Sequence, residues 1–244
     1  MMIEATIEKC KALKLKAVAQ HLEQTITLAE HRNWTPLQAL DHLFELELEL
    51  RKNNKIQRCF KLSRLCEKLT IDQFDFYFHP SRKNQKSRIV NLMDLEFISH
   101  RKDIILIGNP GVGKSFLAKC MAYAATQAGI KVLFTSAMDM INHLIAADAD
   151  HSLLKKLQYY QSQELLVIDE IGYLSLGSQG SNLFFQVISA RHEKRSTVIT
   201  TNRPFAQWGE IFDNTTVATA IADRLVYNSE VLILEGPSYR KRDK

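Results

Sequence analysis

The segment Gly108-Asn109-Pro110-Gly111-Val112-Gly113-Lys114-Ser115 constrains this chain more than any other. Its spacing, GxxxxGK[ST], works where a strand runs through a tight loop into a helix. Both flanks are present: the apolar run Asp103–Ile107 precedes it, and Phe116-Leu117-Ala118-Lys119-Cys120-Met121-Ala122 reads as the helix that follows. Glycines let the backbone curl until successive N–H groups converge on phosphate oxygens, and the new helix adds the positive end of its dipole. Lys114 is expected to reach the β- and γ-phosphates of a nucleotide, and the Ser115 hydroxyl to bind Mg²⁺. The candidate nucleotide-binding residues are thus Gly108, Asn109, Pro110, Gly111, Val112, Gly113, Lys114, Ser115 and Phe116.

Such a loop needs an acid at the end of a neighbouring buried strand. Leu165-Leu166-Val167-Ile168-Asp169-Glu170 supplies one, with Asp169 expected to hold Mg²⁺ and Glu170 to polarise an attacking water. The adjacent glutamate points to hydrolysis of ATP. A small-molecule kinase would leave it idle, and no arginine-rich lid lies between the two motifs. An adapter that binds ATP without hydrolysing it would not need Glu170 either. A further strand, Thr197–Thr201, ends at Asn202, which either orients that water or only forms a turn. Arg224, on the helical segment Ala220–Leu225, and Arg240, near the C-terminus, read equally well as plain surface arginines.

Beyond about residue 89 short apolar strands are expected at Ile104–Ile107, Lys131–Thr135, Leu165–Asp169, Thr197–Thr201 and Val231–Leu234. Helical segments separate most of them, which implies an α/β fold with a parallel sheet covered on both faces. The first part of the chain is helical instead. Ile3, Ile7, Cys10, Leu13, Ala17, Leu22 and Ile26 form one stripe along a first helix. Thr35, Pro36 and Gln38 then open a second helix with a capping box. A basic stretch follows, in which Arg51, Lys52, Lys55, Arg58, Lys61, Arg64 and Lys68 face a single acid, Glu67. On a helix, Cys59, Leu62, Leu65, Cys66 and Leu69 would share its apolar face. The basic side is either a solvated surface or a ridge that contacts nucleic-acid phosphates, and the excess of one sign favours the ridge. Residues 79–88 read as a polar linker with a proline breaker. The expected division is a helical domain over 1–70 and an ATPase domain over 71–244, with the linker around 77–90.

Composition narrows the classes further. With 244 residues, 45% of them hydrophobic, there is enough apolar material for a sizeable core. No run approaches the roughly 18 apolar residues of a membrane span. Met1-Met2-Ile3-Glu4 lacks the apolar stretch of a secretory signal. Cys10, Cys59, Cys66 and Cys120 show no metal spacing and read as reduced thiols. A cytoplasmic protein with no membrane partner is expected, and the net charge of +5 leans towards an acidic partner. Isolated histidines such as His42, His143, His151 and His192 read as ordinary, and Trp34 and Trp208 as helix-end packing. Phe74 and Phe76 read either as core or as adenine contacts.

Taken together, these residues resemble the IstB-like ATP-binding proteins, members of the AAA+ superfamily beside the DnaC-type helicase loaders and DnaA initiators. The resemblance covers nearly the whole chain. It includes Asp169-Glu170-Ile171-Gly172-Tyr173-Leu174, Asn182-Leu183-Phe184-Phe185-Gln186, Asp223-Arg224-Leu225 and Ser238-Tyr239-Arg240. It implies an AAA+ three-layer α/β/α core with a five-stranded parallel sheet. It also implies roles: Arg224 as an arginine finger acting on ATP held by a neighbouring subunit, Arg240 as sensor II within its own subunit, and Asn202 as sensor I. ATP and Mg²⁺ are the implied cofactors. The implied partners are double-stranded DNA, a cognate insertion-sequence transposase and further copies of the chain in an ATP-dependent homo-oligomer. A DnaC-type helicase loader is the alternative. The chain departs from the family's usual pattern in Ser115-Phe116, in Tyr77–Arg82 and in Tyr227-Asn228, and its basic stretch holds fewer arginines than usual.

Overall fold

The computed structural model of the chain describes residues 2–241, so Met1 and residues 242–244 of the expected ATPase domain lie outside the described residues. The chain divides into two compact units at Arg58/Cys59. That is earlier than the expected boundary near residue 70, because Leu65 is buried in the core of the second unit and Phe60 packs against it.

The first unit holds α1 (Met2–Ala12), α2 (Lys16–His31) and most of α3 (Pro36–Leu62). The single first helix expected from the apolar stripe is two helices. Lys14 takes a φ of 60°, and α1 buries no residue. The cause is a remote cap. The Glu47 carboxylate accepts the Ala17 N–H at 2.8 Å and so restarts the helix with a negative charge at its N-terminus. Arg51 donates to the same carboxylate at 2.8 Å and to the Lys14 carbonyl at 3.3 Å, and holds Glu47 below the usual carboxylate range. The capping box of α3 forms as the sequence indicates: Thr35 N–H donates to Gln38 at 2.7 Å, and Gln38 N–H to the Thr35 hydroxyl at 3.3 Å.

Helix α3 runs unbroken to Leu62 and stops there, so the basic stretch is not one helical ridge. Ser63 donates to the Phe60 carbonyl at 2.7 Å, and Arg64 turns the chain with a φ of 63°. The expected apolar face therefore does not form, and Leu62 is 58% exposed. The expected linker is also structured, with α4 (Pro80–Asn84) and α5 (Lys86–Asn91) burying Arg82 and Ile89. Pro80 occupies the first helical position, where its fixed φ starts a helix rather than breaking one.

The second unit continues through α6 (Glu96–Ser99), β1 (Asp103–Gly108), α7 (Lys114–Gln127), β2 (Val132–Ser136), α8 (Ala137–Ala149), α9 (Leu153–Gln161) and β3 (Leu165–Ile171). It ends with α10 (Gly177–Arg191), β4 (Ser196–Thr201), α11 (Trp208–Ile211), α12 (Thr215–Tyr227) and β5 (Ser229–Leu234). All five expected strands are present. They form one parallel sheet in the order β2-β3-β4-β1-β5. Strand β4 is buried throughout, and β1 and β3 are buried over most of their length, as a sheet covered on both faces requires. On one face Ile104 and Leu106 pack with α7 and the segment holding Phe74, Ile89 and Phe97. On the other face Ile105, Leu166 and Ile199 pack with α8 to α12.

This order fixes where a ligand fits. Chain leaving β1 crosses one face through α7, whereas chain leaving the adjacent β4 crosses the other through α11 and α12. The C-terminal ends of β1 and β4 thus flank a topological switch point, the place where open parallel sheets bind ligands.

The opposite end of the sheet is held by buried charge. Arg191, 1% exposed, donates to the carbonyls of Tyr160 (3.1 Å), Gln161 (3.2 Å), Gln163 (2.8 Å) and Ser196 (2.5 Å). Asp103 accepts the Thr197 N–H at 2.6 Å. Burial pushes the Asp103 carboxyl up to about 7, with the Thr197 bond and the Arg191 charge opposing. An unfolded aspartate ionises near pH 4, so between about 4 and 7 only the unfolded chain releases this proton. The contribution of Asp103 to stability is therefore full below pH 4, falls as pH rises and stays lost above 7. Asp103→Asn is expected to gain up to about 4 kcal/mol relative to the unaltered chain between pH 4 and 8. Urea unfolding at several pH values measures this, and a difference that stays flat with pH refutes it.

Candidate functional site

A cavity of about 240 Å³ opens at the switch point. It is lined by the glycine-rich loop, by Glu170 and Tyr173 after β3, by Thr200, Thr201 and Asn202 at the end of β4, and by Tyr239 and Arg240. Gln73, Phe74, Asp75 and Arg82 close its remaining side.

The loop is shaped by positive φ. Gly111 (φ 84°) and Gly113 (φ 104°) adopt backbone that side chains rarely tolerate. A Cβ on Gly113 would lie 2.7 Å from the Phe74 ring. Lys114 is 9% exposed and donates to the carbonyls of Gly108 (2.7 Å) and Asn109 (2.9 Å). Burial lowers its pKa, while the carboxylates of Asp169 and Glu170 act in the opposite direction. Pro110, Gly111, Gly113, Lys114, Ser115 and Phe116 line the cavity. Val112 instead turns its side chain into the core, 1% exposed.

Asp169 joins three elements. It ends the buried run of β3, accepts the Ser115 hydroxyl of α7 at 2.9 Å, and accepts the Thr200 hydroxyl of β4. Thr200 in turn accepts the Glu170 N–H at 2.9 Å. The pairing of β3 with β4 is irregular between Ile168 and Ile171, and Glu170 has a φ of 64°. This kink breaks the alternation of the strand: Asp169 stays buried and Glu170 is exposed at the cavity. The Ser115 hydroxyl and Asp169 carboxylate form a pair of hard oxygen donors, which suits Mg²⁺ held jointly with phosphate oxygens and water. Asn202 lines the same cavity, and its buried Oδ1 has no hydrogen-bond partner among the described residues.

The pattern of the IstB-like ATP binding protein family matches residues 8–244. The chain belongs to the IstB-like ATP-binding family. It is 37% identical over 243 residues to an insertion sequence IS5376 protein of Geobacillus stearothermophilus named for ATP binding, covering all of this chain and 96% of that one. It is 35% identical over 231 residues to the IS232 counterpart of Bacillus thuringiensis, covering 95% and 92% of the two chains. Among solved structures, the DnaC helicase loader shares the fold with a TM-score of 0.57 and 22% identity, over 72% of this chain and 98% of that one. AMPPCP-bound DnaA from Aquifex aeolicus does so at 0.58 and 16%, over 69% and 50%. The fold is therefore shared with DnaA and the DnaC helicase loader, and the family to which the chain belongs is one of ATP-binding proteins.

The arginines and basic residues separate. Arg240 lines the cavity at the switch point. Arg224 does not: it donates to the Ala220 carbonyl at 2.9 Å, stacks 4.7 Å from the Phe185 ring and borders a groove on α12. Arg51, Lys52, Lys55, Arg58 and Lys61 are exposed on α3, and Arg64 and Lys68 are exposed beyond its end. Arg64 stacks over Tyr159 and Lys68 over Phe60. Phe74 and Phe76 are both buried, and Phe74 alone of the two lines the cavity. Sequence reasoning missed Thr200, Tyr173 and Arg82. Thr200 lies on β4, two residues before Asn202 just beyond its end, and that closeness is a usable signal. Arg82 was hidden inside a polar run.

No helix among the described residues is long and apolar enough to cross a membrane.

Thr200→Val removes the hydroxyl that serves both Asp169 and Glu170. It leaves a carboxylate oxygen and an N–H short of a partner, with an expected loss of about 1–3 kcal/mol. Urea unfolding reads the loss, and stability equal to the unaltered chain rules out this bridging role.

Proposed function

We propose that this chain is an ATP-hydrolysing switch that assembles on duplex DNA and assists an insertion-sequence transposase. The observation that carries the reading is the Ser115–Asp169–Thr200–Glu170 cluster: it presents the exposed Glu170 carboxylate to the cavity beside a glycine-rich loop of phosphate-binding spacing. In this reading Lys114 and the loop N–H groups bind the ATP phosphates. Ser115 and Asp169 hold Mg²⁺, which when bound neutralises charge on the phosphate oxygens. Glu170 takes a proton from the attacking water. Asn202 orients that water through its unpartnered oxygen, and Arg240 contacts the phosphates from the same chain.

The site then needs a further cation, supplied by Arg224 of a neighbouring copy. Its place outside the cavity of its own chain supports a role in trans. Assembly would align the exposed bases of residues 51–68 along a phosphate backbone, and hydrolysis would loosen the assembly. Such binding weakens steeply as salt rises.

Glu170→Gln is expected to keep ATP binding and lose about 10²–10⁴ in turnover. Arg224→Ala is expected to keep binding and lose about 10³-fold or more. Phosphate release, set beside binding of a fluorescent ATP analogue, tests both. Unchanged turnover in Arg224→Ala sinks the trans role. For the partner, binding to duplex and to single strand is compared with and without MgATP at two salt concentrations. Assembly on duplex that needs ATP and weakens with salt is the expected result. A preference for single strand points instead to a helicase loader.

A further inference from the structure

Arg82 is 2% exposed and lies beside the ATP cavity, in a stretch whose composition reads as linker. Its guanidinium stacks on three rings, with Cζ 4.7 Å from the centre of Phe74, 4.9 Å from Phe78 and 5.0 Å from Tyr239. One nitrogen donates to the Asp75 carbonyl at 3.1 Å, and another to the Val112 carbonyl in the glycine-rich loop at 2.8 Å. One step earlier in the loop, the Gly111 carbonyl accepts the Tyr239 N–H at 2.9 Å.

These two contacts have a geometric consequence. In a planar trans peptide the carbonyl and the following N–H point in opposite directions. Holding the Gly111 and Val112 carbonyls at Tyr239 and Arg82 turns the N–H groups of Val112 and Gly113 the opposite way, away from those contacts. In a loop of this spacing those N–H groups face the phosphates.

We propose that Arg82 is a positioning residue for ATP binding: it fixes the Val112–Gly113 peptide so that the Gly113 N–H faces the phosphates. The inference rests on the nucleotide site described above. Position and charge make separate predictions. A buried charge acting at a distance would be replaced by lysine. A planar fork that bridges Asp75 and Val112 and is wedged among three rings would not. The loop N–H groups serve phosphates common to ATP and ADP, so both nucleotides should weaken together.

The test uses the full chain with Arg82→Lys and Arg82→Met. Folding is checked by circular dichroism, affinity for ATP and ADP by calorimetry, and the cradle by the ³¹P resonance of the β-phosphate at saturating ADP. Arg82→Lys is expected to stay folded and to bind both nucleotides roughly tenfold or more weakly. Its bound β-phosphate resonance should move towards that of free ADP. Arg82→Met, where it folds, should match it. Lysine affinities within about threefold of the unaltered chain, or an unmoved resonance, overturn the proposal. Failure of the unaltered chain to bind either nucleotide would overturn the ATP site itself, and this role with it.

Discussion

One carboxylate ties the working end of this sheet together. Asp169, near the end of β3, accepts a hydroxyl from α7 and another from β4, so the helix after the glycine-rich loop and two strands share one acceptor. That arrangement is possible because the parallel strands end in line. Ile107 of β1 pairs with Thr201 of β4, and Ile168 of β3 pairs with Ile199 of β4. Such alignment follows from apolar runs buried on both faces, which leave the polar residues only at the strand ends. The chemistry at the cavity is thus a by-product of register.

What the sequence made legible was whatever follows a local rule. Strand β3 starts at Leu165 as its apolar run indicates, but it carries on past the two acids to the buried Ile171, two residues beyond the expected end. The capping box at Thr35 needed only three residues in the right spacing. Harder to see were contacts between segments far apart in the chain. The break before α2 depends on Glu47, thirty residues from the N–H it caps. The end of α3 depends on Ser63 turning back on Phe60 and on the left-handed Arg64, and no proline or glycine marks either.

The site divides along the same line. Lys114, Ser115 and Asp169 belong to motifs whose spacing predicts that they meet, and Ser115 does donate to Asp169 beside Lys114. Glu170 was read from the motif as well, but its exposure comes from a kink between β3 and β4 that alternation alone would not place. Arg82 was least legible. Its residue type looks like one more surface cation, and only the fold brings the phosphate loop, Asp75 and three aromatic rings around it.

Arg191 sits at the far end of the same sheet, below the first residues of β4 and remote from the cavity at the switch point. It satisfies the loose carbonyls of two connections at once, and a buried guanidinium has no neutral stand-in of equal reach. Damage there and damage at the phosphate loop should be told apart by different symptoms. A fault at the loop yields a full complement of idle molecules. A fault at Arg191 yields too few molecules, each of them competent, because marginal proteins are cleared by cellular quality control before their chemistry is ever impaired.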